Sequence, residues 1–168
     1  HLDRRRAEGK LKNLEKRLDA EPLQGHIGIG HTRWATHGKP TENNAHPHAT
    51  DRVAVVHNGI IENFRELRER LQKQGVVFKT ETDTESVVHL VDSFLQKGVR
   101  PVEAVRAALS ELRGAFALGF IFKGEDDLMI GARNGPPLAI GHGNGEMYLG
   151  SDAIALGPFT DTISYLED

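Results

Sequence analysis

The chain has 168 residues, a formal net charge of −3, and 38% apolar against 27% charged residues, a composition that fits one domain with a buried core and excludes a disordered chain. The charge balance offers no basic face for nucleic acid, no apolar run reaches the roughly 20 residues of a membrane span, and the first residues lack a signal peptide's apolar core. The absence of cysteine excludes disulfides and thiolate metal sites.

The sequence opens at His1 rather than Met, as expected of a processed chain or a fragment. Arg4-Arg5-Arg6 is the only basic run and reads as a solvated, frayed end. Leu11, Leu14 and Leu18 follow helical spacing after Gly9, and Pro22 closes that segment. Residues 26–31 (HIGIGH) predict a strand whose glycines permit close packing. From 34 to 51 the chain is rich in Gly, Pro, Thr, Asn and His and reads as loop. Two apolar runs, 53–56 and 60–61, flank Asn58-Gly59, a strong short-range signal for a hairpin.

Three helical stripes come next. Phe64, Leu67 and Leu71 form the first, stopped by Gly75. Val87, Val91, Phe94 and Leu95 form the second, stopped by Gly98. Pro101 opens the third, carried by Val102, Val105, Leu109 and Leu112 and ended by Gly114. The remainder predicts strands at 115–122, 128–133, 138–141, 146–149 and 162–166. In the first of these, Ala115, Ala117, Gly119 and Ile121 take one face and Phe116, Leu118, Phe120 and Phe122 the other. Both faces are apolar, so the strand is expected to be covered on both sides. Short strands joined by tight turns favour antiparallel sheets with helices packed outside, an α+β fold.

The residues able to do chemistry cluster in residues 31–38 (HTRWATHG) and 57–59 (HNG). Arg33 carries a planar fork suited to a carboxylate, or to a surface ion pair. Trp34, the only tryptophan, sits in a polar loop, where it either covers a ligand or anchors the loop in the core. Asn58-Gly59 is explained by a turn alone. It also offers a side-chain amide and a backbone N–H to a developing oxyanion. Residues 82–85 (TDTE) fit a capping box with Thr82 as N-cap and Glu85 reaching back. Asp83 then falls in the first turn, where the helix dipole favours negative charge and a substrate ammonium could be received. His31, His37, His46, His48 and His57 invite a metal-hydrolase reading, but they lack a metal-binding pairing such as HExxH. Residues 141–145 (GHGNG) precede a strand rather than a helix and read as a turn, not a phosphate loop.

Residues 31–38, 44–48, 56–63, 81–85, 133–138 and 150–153 together resemble the glutaminase domain of the glutamine–fructose-6-phosphate aminotransferase family, the glucosamine-6-phosphate synthases. The resemblance covers nearly the whole chain. Trp34 with Thr36 and His37 looks like the sugar enzyme rather than other N-terminal-nucleophile amidotransferases. It implies a four-layer αββα sandwich of two antiparallel sheets between helices. It also implies an N-terminal cysteine that attacks the glutamine side-chain amide with its own α-amino group as base. On the matching positions, Arg33 would hold the substrate carboxylate and Asp83 its α-ammonium. Trp34, Thr36 and His37 would close over glutamine, and Asn58 and Gly59 would form the oxyanion hole. No cofactor and no metal are implied.

The released ammonia would serve separate sugar-isomerase domains, absent here, within a cytoplasmic, homo-oligomeric parent enzyme. By the same resemblance, residues 1–168 form a single glutaminase domain incomplete at its N-terminus. It would lack the nucleophile and one sheet strand, and it is expected to be inactive alone. The alternative is a pseudo-glutaminase that binds glutamine without hydrolysing it.

Overall fold

The most apolar stretch of the sequence becomes the centre of the main sheet. In the computed structural model, which describes residues 1–33 and 39–167, β3 (Gly114–Phe122) lies between β2 (Val53–Ile61) and β4 (Glu125–Asn134). The two-residue strand β1 (His48–Ala49) forms the edge beyond β2, and all pairings are antiparallel. From Phe116 onward β3 is buried throughout, as its two apolar faces predict. Phe116, Leu118, Phe120 and Phe122 enter the core shared with the helices. Burying one side chain of this size contributes about 1.5–3 kcal/mol.

The helices that cover this face are α2 (Phe64–Lys73), α3 (Thr84–Leu95) and α4 (Pro101–Leu109), with Leu67, Leu71, Val87, Val91 and Val105 buried as their spacing predicts. Pro101 starts α4 as expected, but the helix ends at Leu109, and Gly114 opens β3 instead of stopping the helix. The opposite face of the main sheet meets a second sheet. That sheet contains β5 (Ala139–His142), β6 (Met147–Gly150) and β7 (Ile163–Tyr165) in the order β6-β5-β7. Gly119 and Gly131 are register partners on β3 and β4, and Leu149 seats against both. The paired glycines make the notch into which this side chain fits.

The order is therefore helices, sheet, sheet. The short α5 (Ala153–Leu156), not anticipated in the sequence, packs on β5 and β6 and is capped by Asp152 accepting from Ala155 N at 2.8 Å. The α+β class and the antiparallel sheets are as predicted; of the four αββα layers that the resemblance implies, the described residues show one helical layer, the two sheets and the short α5.

Four expectations are corrected. Residues 26–31 form no strand: among the described residues no strand lies beside them, and alternation alone cannot satisfy a backbone that has no ladder partner. The hairpin at Asn58-Gly59 does not exist. β2 runs straight through both residues, pairing Asn58 with Ala117 and Gly59 with Phe116. A type I′ turn needs positive φ at both central residues, and no described non-glycine residue has one.

The arginine run is not frayed. Arg4 Nη1 donates to Pro47 O, Arg6 Nη1 donates to Asn43 O and Ala45 O, and Arg5 Nε donates to Glu21 O. These forks satisfy loop carbonyls that no sheet or helix engages. Residues 34–51, read as loop throughout, contain β1. The first helix, α1 (Leu11–Ala20), forms where predicted but buries none of its residues. Among the described residues no helix is long and apolar enough to cross a membrane.

Candidate functional site

Because side chains alternate along a strand, β2 carries two kinds of residue at once. Val53, Val55 and Ile61 enter the helix-side core. His57 points the same way, with Nδ1 at 2.9 Å from Thr84 Oγ1 of α3. Asn58 faces the other way, into a cavity of about 680 Å³. That volume suits a small-molecule ligand. Arg33, Asn58, Gly59 and Asp83 all line it, together with His31, Thr84, Leu149 and Ser151. Four of the predicted site residues thus meet at one cavity, and Trp34, Thr36 and His37 lie outside the described residues.

Gly59 is fixed by backbone geometry. Its φ is +116°, and a Cβ there would collide with the Ala115 carbonyl oxygen and lie 2.9 Å from Phe116 Cα. Gly114, across the ladder at φ +121°, is confined in the same way by Ile60 O. The two strands approach closely only because both positions lack a side chain.

Asp83 ties this strand to the helix. It is the N-cap of α3, with Oδ1 accepting from Thr84 N at 3.0 Å and Oδ2 accepting from Ile61 N of β2 at 2.8 Å. The cap is therefore displaced by one residue, and the predicted capping box does not form, because Ser86 at the third helical position donates its hydroxyl to Phe64 O. Thr82, expected as the cap, is buried with its hydroxyl 3.1 Å from His48 Nε2. Glu85 does not reach back to the cap: it accepts from the Lys79 and Thr80 amides at 2.7 and 2.8 Å. Burial opposes its charge, but the bonds from His89, Lys79 and Thr80 outweigh that and hold its carboxyl at about 2.

Arg33 Nη1 donates to Lys39 O at 3.2 Å. Burial pushes the guanidinium below its ordinary value and the Asp83 carboxylate pulls it back. It remains charged, as arginine does. The cavity therefore has a cation and a carboxylate on its walls, the complement of an amino acid's own charges.

Sequence reasoning missed the histidine layer behind this wall. His31 stacks on His46 with centroids 4.2 Å apart, and His46 meets the edge of His48 at 5.0 Å. Thr84 Oγ1 lies 3.2 Å from His46 Nε2 as well as near His57. The density of histidines was the available signal, and it reads as a hydrogen-bonded ring cluster. Among the described residues no group of three or more His, Cys, Asp or Glu is placed to hold a metal ion.

Burial lowers the basicity of His31, His46 and His48. In His48, Glu85 opposes that effect, Arg6, Arg4 and Arg33 add to it, and the value falls from 6.5 to about 4. A depressed folded-state value means that the unfolded chain takes up protons first as pH falls below 6.5. Stability is therefore expected to fall from pH 6.5 toward pH 4, with His48 alone contributing on the order of 3 kcal/mol. Thermal unfolding between pH 7 and pH 4 checks this, and His48→Asn should flatten the slope.

A family model described as a glutamine amidotransferase domain matches residues 31–158, and the chain belongs to that family. Its curated relatives include a glutamine–fructose-6-phosphate aminotransferase [isomerizing] of Bradyrhizobium diazoefficiens, 83% identical over all 168 residues, and one of Brucella abortus, 72% identical over 167 residues. The chain spans 28% of the length of each. Among solved structures, the glutamine phosphoribosylpyrophosphate amidotransferase of B. subtilis, complexed with ADP and GMP, superposes with a TM-score of 0.63 at 30% identity. That match covers 81% of this chain and 29% of the other. A second structure, described as the allosteric regulatory enzyme of purine biosynthesis, gives a TM-score of 0.66 at 29% identity, covering 81% and 30% of the two chains.

Proposed function

We propose that this chain is the glutamine-hydrolysing part of a glutamine–fructose-6-phosphate aminotransferase, supplying ammonia for the conversion of fructose 6-phosphate to glucosamine 6-phosphate. The observation that carries the reading is the meeting of Arg33, Asp83, Asn58 and Gly59 at one cavity. The relatives' shared name supports the choice of sugar enzyme.

In this reading the Arg33 fork pairs with the carboxylate of glutamine and Asp83 accepts from its α-ammonium, so the side-chain amide extends toward Asn58 and Gly59. When a nucleophile adds to that amide carbon, the carbonyl oxygen gains negative charge. The Asn58 Nδ2–H and the Gly59 N–H donate to it. Trp34, Thr36 and His37, next to Arg33 in sequence, close over the bound glutamine. The 168 residues contain no cysteine, so the attacking thiol is not one of them.

A second reading, a module that binds glutamine without hydrolysing it, uses the same Arg33 and Asp83 walls of the cavity. Glutamate release by the full-length protein separates the two. The cradle itself is tested by Arg33→Lys, which keeps the charge and removes the planar fork. Glutamine affinity measured by titration calorimetry should fall about tenfold, or about 1.4 kcal/mol. Unchanged affinity would remove Arg33 from the carboxylate site.

A further inference from the structure

Asn58 is only useful to an oxyanion if its NH₂ end, and not its carbonyl end, faces the cavity. Two hydrogen bonds decide which end that is. His31 Nδ1 lies 2.8 Å from Arg33 N. A backbone N–H can only donate, so Nδ1 accepts, and the proton of a neutral imidazole sits on Nε2. Nε2 lies 2.7 Å from the Asn58 side chain. As a donor, it must meet the Oδ1 end. The Asn58 carbonyl oxygen is thereby engaged, and its Nδ2–H₂ is left as the end that serves the cavity.

The ring is held in place for this task. It stacks on His46, and His46 is held by Thr84 at the start of α3. Burial keeps His31 in the neutral form that this bonding pattern needs. The same ring takes the backbone N–H of Arg33, so the residue that would hold the substrate carboxylate and the residue that would stabilise the oxyanion are joined through one imidazole.

We infer that His31 is a positioning residue that orients the Asn58 amide toward the reacting carbonyl through its Nε2–H. The inference rests on the reading of Asn58 as an oxyanion donor. Its own content is the direction of the amide and the residue that sets it.

Four variants of the full-length enzyme carrying this chain test it: His31→Asn, His31→Gln, Asn58→Ala, and Asn58→Ala combined with His31→Asn. His31→Asn can still accept from Arg33 N but is too short to reach Asn58. His31→Gln places an amide N–H near the position of Nε2 and gives up the bond to Arg33 N. His31→Asn should lower kcat for glutamine hydrolysis about tenfold with KM unchanged, the scale of one lost hydrogen bond. His31→Gln should keep kcat within about threefold of the parent. In an Asn58→Ala background, His31→Asn should have almost no further effect, because the group it positions is gone.

Equal losses in the two His31 variants would overturn the inference, as would a loss that persists in the Asn58→Ala background. If His31→Asn does not fold, His31→Gln still decides, since a kcat loss beyond tenfold there contradicts a donor role. Normal kcat in Asn58→Ala alone would instead sink the oxyanion reading on which the inference stands. An impaired Asn58→Ala with unaffected His31 variants would leave that reading intact and remove only His31.

Discussion

Gly59→Ala is expected to destabilise the domain by about 4 kcal/mol, enough to unfold much of a marginally stable protein. Two costs combine. Gly59 holds φ at +116°, a conformation that costs an L residue about 1–3 kcal/mol. The added methyl also has no room, because it would strike the Ala115 carbonyl and crowd Phe116 Cα at 2.9 Å. Forcing two central strands apart adds about 1–3 kcal/mol. Gly145→Ala is the control: its φ is +77° but nothing lies within 4 Å of the new Cβ. It should cost only the backbone strain of about 1–2 kcal/mol. Urea unfolding of both variants separates strain from collision, and equal midpoints would show that the β2–β3 contact is not the constraint.

Asn58→Ala is expected to lower kcat of the full-length enzyme by roughly 10²–10³, or about 2.7–4 kcal/mol, while leaving glutamine affinity nearly intact. The structural context simplifies the test. Asn58 is an exposed strand residue without positive φ, paired with Ala117, so alanine fits its backbone without strain. The stability cost should be confined to the bond with His31, about 1 kcal/mol. Single-turnover kinetics with thermal unfolding on the same variant gives both numbers. Full turnover by the folded variant would rule out Asn58 as the oxyanion donor.

The helices and most strands were legible because their apolar periods are local: Phe64, Leu67 and Leu71 need no partner to be read. Asn58-Gly59 was misread because the dipeptide that favours a tight turn also marks a strand approached closely by another backbone. The deciding neighbour, Ala115, is 56 residues away in sequence. The shift of the helix cap from Thr82 to Asp83 has the same origin, since the Ile61 amide that holds Asp83 belongs to another element. Residues 26–31 alternate as a strand does, yet pairing is a property of two segments, and one segment cannot report it. Arg33, Asn58, Gly59 and Asp83 were singled out by residue chemistry and by motif resemblance, and they line one cavity. His31 was read only as one of a cluster of histidines and Thr84 only as part of a capping box, because their hydrogen bonds reach groups remote in the chain.

Asp83 fastens β2 to the start of α3 with the same carboxylate that faces the cavity. Affinity and architecture are therefore not independent variables at this position. On the proposed reading, in which Asp83 receives the ligand's ammonium, a substitution that retunes this recognition also loosens the joint between sheet and helix, so mutational drift toward other amide substrates is penalised there twice. On the Arg33 side of the cavity the described tie, from the guanidinium to the Lys39 carbonyl, spans six residues of chain rather than two elements of the fold, and adaptation of specificity meets a different constraint there.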